Sequence, residues 1–150
     1  MDIKQLLRSL LDHKVKFLVI GAWALPAYGR TRFTQDVDFF FEPTKANAKR
    51  LVSALAEIGY DGILDVPLEV ILKKKILMRE YVLKADTHPS VKGTSFRKAW
   101  RNKVETNIEG IKVFVPSLDN LIDMKKAAGR PVDMLDLEYL RELKFRREKT

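Results

Sequence analysis

Two alternating aspartates run into three consecutive phenylalanines, Asp36-Val37-Asp38-Phe39-Phe40-Phe41, and no other stretch limits the fold of this chain as strongly. Residues 37–41 read as a strand. Asp36 and Asp38 then project from one face, about 6.6 Å apart along the backbone. Phe39 and Phe41 take the opposite face, and Phe40 shares the side of the carboxylates. Such a strand belongs in a sheet with an apolar layer packed on it. Unpaired carboxylates beside that layer are expensive, so they need a cation or an arginine. Oxygen donors of this kind suit Mg²⁺, which is held by a few carboxylates together with substrate phosphates. The alternative is an edge strand whose Asp pair faces water and pairs with Lys or Arg. If the segment upstream is extended, the same parity continues through Arg32 and Thr34.

Around this strand, hydrophobic periodicity sets out the other elements. Ile3, Leu6, Leu7, Leu10 and Leu11 recur at helical spacing behind Asp2, a suitable N-cap. VKFLVI, residues 15–20, is a buried strand ending at Gly21, and residues 22–29 form a short helix closed by Gly29. A helix over about 44–58 places Ala48, Leu51, Val52, Leu55 and Ile58 on one face and stops at Gly59. Residues 76–86 are expected to form one strand. Val104, Thr106 and Ile108 and then Ile111, Val113 and Val115 alternate about Glu109-Gly110 as a hairpin. Two helices follow, 117–128 stopped by Gly129 and one opened by Pro131. With no repeat, low-complexity run or linker in its 150 residues, the chain is expected to be one α+β domain (1–150), a mixed sheet flanked by helices with two of them C-terminal.

Composition removes several kinds of chemistry. The chain has no cysteine, which excludes thiolate zinc sites and cysteine nucleophiles and fits a reducing cytoplasm. Its two histidines cannot build a His-rich metal centre. The longest apolar stretch, 17–28, is too short for a membrane span and contains Gly and Pro. Of the net charge of +8, all resides between Lys73 and Lys103, where ten basic residues face two acids, Glu80 and Asp86. This concentration suits either a surface for a polyanion such as RNA or a face that only solubilises the protein. Trp100, among Arg97, Lys98, Arg101 and Lys103, fits the first reading as a stacking platform. Trp23 and Tyr28 read first as packing residues.

Upstream of the Asp pair, the strand–Gly21–helix turn sets backbone N–H groups and a positive helix end where a phosphate can bind. Gly21-Ala22, thirteen residues, then Asp36-Val37-Asp38 resembles the nucleotidyltransferase signature of the DNA polymerase beta superfamily. More narrowly, GAWALPAYGRTRFTQDVDFFF and SLDNLIDMKKAAGRPVDMLDLEYL resemble paired blocks of the small nucleotidyltransferase-like proteins related to type IV abortive-infection toxins.

The resemblance implies a nucleotidyltransferase fold and transfer of a nucleotidyl group from a nucleoside triphosphate, with Mg²⁺ or Mn²⁺, to a hydroxyl of RNA, protein or a small molecule. It implies that Asp36, Asp38 and a third carboxylate, best matched by Asp86, are catalytic and hold the metal. Asp86 is the group that would take the acceptor's proton; the bland alternative is an acid paired with Lys84 or Lys92, and Glu80 is its only neighbouring competitor. Gly21, Ala22, Arg32, Thr34, Lys125 and Arg130 are the implied substrate-binding residues. Lys125 either contacts the triphosphate or ties the C-terminal helix to the acidic strand, and Gly129 frees Arg130 to turn towards the site. Asp133 and Asp136 read first as acids complementing a helix N-terminus. His88 reads as a loop histidine without a catalytic part. Ala22 departs from the Ser or Gly of many active members and offers no hydroxyl. The second reading is therefore an inactive module that binds nucleotide, nucleic acid or a protein partner such as an antitoxin.

Overall fold

A computed structural model of the chain describes residues 2–32, 34 and 36–150. Helix α1 (Ile3–Asp12) begins on a capping box in which Asp2 accepts from the Gln5 amide and the Gln5 side chain accepts from the Asp2 amide. Strand β1 (Phe17–Ile20) leads into a 3₁₀ helix, Gly21–Tyr28, and then into β2 (Asp36–Phe41). The continuation of the β2 parity through Arg32 and Thr34 requires an extended segment that includes Phe33 and Gln35, which lie outside the described residues. Helix α2 (Lys45–Glu57) follows on a Thr44 cap. After it come a 3₁₀ turn (Asp61–Asp65), the one-turn helix α3 (Leu68–Ile71), β3 (Ile76–Met78), β4 (Lys84–His88) and α4 (Phe96–Arg101). The hairpin β5 (Val104–Ile108) and β6 (Ile111–Val115) precedes α5 (Leu118–Ala128) and α6 (Pro131–Glu148).

The main sheet has the order β1-β2-β4-β3, with β2 and β4 parallel and the other pairs antiparallel. The fold is a mixed sheet flanked by helices, as expected. Alternation along each strand separates two apolar layers. Phe17, Val19, Val37, Phe39, Phe41, Met78 and Ala85 enter the larger core with Leu6, Leu7 and Leu10 of α1 and Leu51 and Leu55 of α2. On the other face, Leu18, Ile20 and Phe40 pack with Phe96 and Ala99 of α4. Phe40 therefore shares its side with the aspartates, and Phe39 and Phe41 oppose it, as the β period requires.

Several elements differ from the sequence expectation. The single strand expected over 76–86 is two strands. Residues 79–83 turn, so Ile76, Leu77 and Met78 run back antiparallel against Thr87, Asp86 and Ala85. The helix expected at 22–29 is a 3₁₀ helix from Gly21 to Tyr28 with Pro26 inside it. The hairpin forms about Glu109-Gly110 with φ of 49° and 83°, a pair of positive angles that matches the right-handed twist of the strands. Helix α5 ends at Gly129 with φ 65°, and Pro131 occupies the first turn of α6. No helix among the described residues is long and apolar enough to cross a membrane.

Candidate active site

The two inner strands bring the acids together. Parallel register pairs Asp38 of β2 with Asp86 of β4, and Asp36 with Lys84. Neighbouring strands lie about 4.8 Å apart, so Asp38 and Asp86 stand side by side on one face with Asp36 one step along. His88 follows on the same face of β4, and its Nε2 lies 2.8 Å from Asp38 Oδ1. Asp86, buried, accepts from Arg79 Nη1 at 2.6 Å. That bond, with the charges of Asp86, Asp36 and Asp38, raises the Arg79 pKa above its ordinary value. The sequence alternatives for Asp86, Lys84 or Lys92, are not its partners among the described residues; Arg79 is. Glu80 sits in the 79–83 turn, where it accepts from the Arg79 amide.

Beside these carboxylates the chain leaves β1 through Gly21, whose φ is +69°. A Cβ at Gly21 would lie 2.5 Å from Asp38 Oδ2, so the turn and the carboxylate leave no room for a side chain. Gly21→Ala is expected to cost roughly 1–2 kcal/mol for the left-handed backbone alone, and more through displacement of Asp38. Thermal denaturation checks this. Gly21→Ala combined with Asp38→Ala should recover part of the loss, because the nearest clashing atom is then gone.

An open cleft of about 720 Å³ runs over this face. Gly21, Asp36, Asp38, Asp86, Lys125 and Arg130 all border it, joined by Lys75, Arg79, His88 and Lys92. Ala22, Arg32 and Thr34 do not. Ala22 is buried in the first turn of the 3₁₀ helix. Thr34 Oγ1 accepts from the Asp36 amide at 2.9 Å and so shapes the entry to β2.

Arg32 is committed to the C-terminal helix. Its Nη1 donates to both oxygens of Asp136, at 2.9 and 2.7 Å. Asp136 also takes Arg30 Nε at 3.0 Å and Lys125 Nζ at 3.0 Å. Lys125, itself buried, reaches Asp133 at 3.4 Å, and Asp133 accepts from the amide, Nε and Nη2 of Arg130. Lys125 thus ties α5 to α6 and not to the acidic strand. Asp133 acts at the helix start, as expected of an acid there. Asp136 does something further, holding α6 to the segment that leads into β2. Burial pushes the Asp133 and Asp136 carboxyls up. Hydrogen bonds and charges from Arg130, Lys125 and Arg32 outweigh this and hold both below the usual carboxylate range.

His88, Arg79, Lys75 and Lys92 at the cleft are additions to the sequence reading. His88 shares the parity of Asp86, a signal that appears once β4 is extended two residues. Nine of the ten basic residues in 73–103 are exposed and Lys103 is half-buried. Trp100 is used internally. It stacks on Phe96 at 5.6 Å between ring centres and meets Phe114 edge-on, with Lys103 and Lys16 over its ring at 4.4 and 5.0 Å. Tyr28 is buried and donates to the Pro116 carbonyl, which fits its packing role.

The donor chemistry of Asp36, Asp38 and Asp86, hard oxygens on one sheet face, fits Mg²⁺ or Mn²⁺. As the side chains stand, no three of His, Cys, Asp or Glu among the described residues are gathered closely enough to hold an ion. Arg79 and His88 instead engage Asp86 and Asp38, and their contacts would have to open for a cation to be shared.

The mixed sheet flanked by helices, with an acidic cleft on one face, is consistent with a nucleotidyltransferase-like fold. Residues 1–65 match a family described as a nucleotidyl transferase of unknown function. The matched region carries α1 to α2 and with them Gly21, Ala22, Arg32, Thr34, Asp36 and Asp38; Asp86, Lys125 and Arg130 lie beyond it. No curated protein matches the chain.

Proposed function

We propose that this cleft binds a nucleoside triphosphate and transfers its nucleotidyl group to an acceptor hydroxyl, which bonds to the α-phosphorus as the α–β phosphoanhydride bond breaks and pyrophosphate leaves. One observation carries the reading: three carboxylates from two parallel strands share a sheet face beside the Gly21 turn, with Lys75, Lys92 and Arg130 across the same cleft. Asp36, Asp38 and Asp86 would hold Mg²⁺ or Mn²⁺, which when bound supplies charge neutralisation at the phosphates and acidifies the acceptor hydroxyl.

The protein's own groups do the rest. Backbone N–H groups after Gly21 and the cleft cations bind and orient the phosphates. Arg130, two-thirds exposed, can reach a phosphate while its Nε stays on Asp133. Lys125 and Arg32 act indirectly, holding α5, α6 and the entry to β2 around Asp136. Asp86 is the proton acceptor for the attacking hydroxyl once its contact with Arg79 has opened. The exposed cations of 73–103 extend this basic surface and suit RNA as the acceptor. Closeness to the type IV abortive-infection toxins, a cytoplasmic setting and a cognate antitoxin as partner belong to the same reading.

A specific observation favours a second reading, a nucleotide-binding module without catalysis. Arg79 is already ion-paired with Asp86, His88 is hydrogen-bonded to Asp38, and Ala22 is buried without a hydroxyl. Incubation with each α-labelled nucleoside triphosphate, Mg²⁺ or Mn²⁺, and total RNA and protein separates the two. Label transfer that chelation abolishes supports the enzyme. Nucleotide binding that chelation leaves intact, with no transfer, supports the module.

A further inference from the structure

The outer side of α6 carries a stripe that no other described element covers. Met134, Glu138, Arg141 and Phe145 follow at steps of four, three and four residues and fall on one narrow line along the helix. Met134 and Phe145 are 47% and 53% exposed, and Leu135 beside them 60%. The line borders a shallow groove formed with Leu137 and Glu142. The inner side of the same helix is fully used. Leu140 is in the main core, Asp136 holds Arg30, Arg32 and Lys125, and Tyr139 donates to the Tyr28 carbonyl. Single exposed apolar residues are ordinary, but a periodic stripe marks a contact surface.

The order along the stripe identifies the occupant. Apolar, acidic, basic, apolar is its own complement when read backwards. Glu142 and Lys144 nearby pair with Arg146 and Asp119, whereas Glu138 and Arg141 make no ion pair among the described residues. Two antiparallel copies of α6 related by a twofold axis set Met134 against the partner's Phe145 and Glu138 against the partner's Arg141, and symmetry repeats both contacts. A parallel pair would set glutamate on glutamate and arginine on arginine, which is repulsive.

We propose that the protein self-associates as a twofold dimer through antiparallel pairing of α6 along this stripe. The assignment does not depend on the chemistry of the cleft.

Because the chain has no cysteine, cross-linking reads the register directly. The Met134→Cys/Phe145→Cys double variant is expected to form a disulfide-linked dimer under mild oxidation. Each single variant should not, because equivalent positions would lie about 16 Å apart along the helices, far beyond the span of a disulfide. In sedimentation velocity, Glu138→Arg or Arg141→Glu alone should weaken the dimer about tenfold or more, and the two together should restore it. A monomer of 17.3 kDa up to about 100 µM, where specific dimers of micromolar affinity are populated, overturns the proposal. So does cross-linking of either single variant as efficient as that of the pair.

Discussion

Replacing Asp136 by asparagine should destabilise the protein by about 3–5 kcal/mol, the cost of leaving buried charges without their counterion. Asp136 is fully buried and receives Arg30, Arg32 and Lys125, and of these Lys125 is nearly as buried. Asparagine keeps the shape and loses the charge. Three cations then converge on a neutral amide, and among the described residues only Lys125 has a second acid, Asp133, in reach. Chemical denaturation at pH 7 measures the loss. Adding Lys125→Met should recover part of it, since one uncompensated charge is then removed together with its desolvation cost. The pH dependence follows from the direction of the shift. The Asp136 carboxyl is held below its unfolded value, so its stabilisation is fully present above about pH 4, the unfolded carboxylate range. It is lost as pH falls through the lower folded value. The stability gap between wild type and Asp136→Asn should be constant near neutrality and close in acid. A gap independent of pH down to acid unfolding would mean that the charge of Asp136 is not what stabilises the fold.

That network also marks where reading the sequence stops. The elements with strong periodicity, α1, α2, the strand β2 and the hairpin, are legible because period and end signals agree at Asp2, Gly59 and Glu109-Gly110. The 76–86 segment is not. ILMREYVLKAD has no Gly, Pro or Asn to mark a turn, and its break is set by β3 folding back onto β4. Helix α4 has six residues, too few for a helical period to appear, yet Phe96 and Ala99 close the second apolar layer. In the site, the face shared by Asp36 and Asp38 is legible from spacing two, while the match of Asp38 with Asp86 depends on a parallel crossover that no local pattern states. Arg79 on Asp86 and Arg32 on Asp136 are of the same kind. The second of these joins residues 104 apart, and nothing near Arg32 in sequence distinguishes a guanidinium aimed at a phosphate from one aimed at α6.

Asp38→Asn should abolish nucleotidyl transfer, lowering the rate by about three orders of magnitude, equivalent to roughly 4 kcal/mol of transition-state stabilisation. The substitution is chosen for what it preserves. Asparagine fits the space beside Gly21, and its amide oxygen still accepts from His88, so the sheet and the turn keep their contacts. What changes is one unit of negative charge in a trio where Asp86 is already neutralised by Arg79. Thermal stability without nucleotide should therefore differ little from wild type. The contrast appears on adding Mg²⁺ and a nucleoside triphosphate together. Wild type should gain stability by linkage, about 2.7 kcal/mol at a hundredfold excess over Kd, and Asp38→Asn should gain much less. Asp36→Asn should follow Asp38→Asn in both measurements, since it adds the next carboxylate on the same face of β2. Arg79→Gln should move the other way in the binding measurement, because it frees Asp86 and removes a competing cation from the trio. Equal stabilisation of wild type and both aspartate variants would place nucleotide binding elsewhere than on the β2–β4 face. A loss confined to turnover, with stabilisation unchanged, would keep the ligand in the cleft and give Asp38 a part in the chemical step alone.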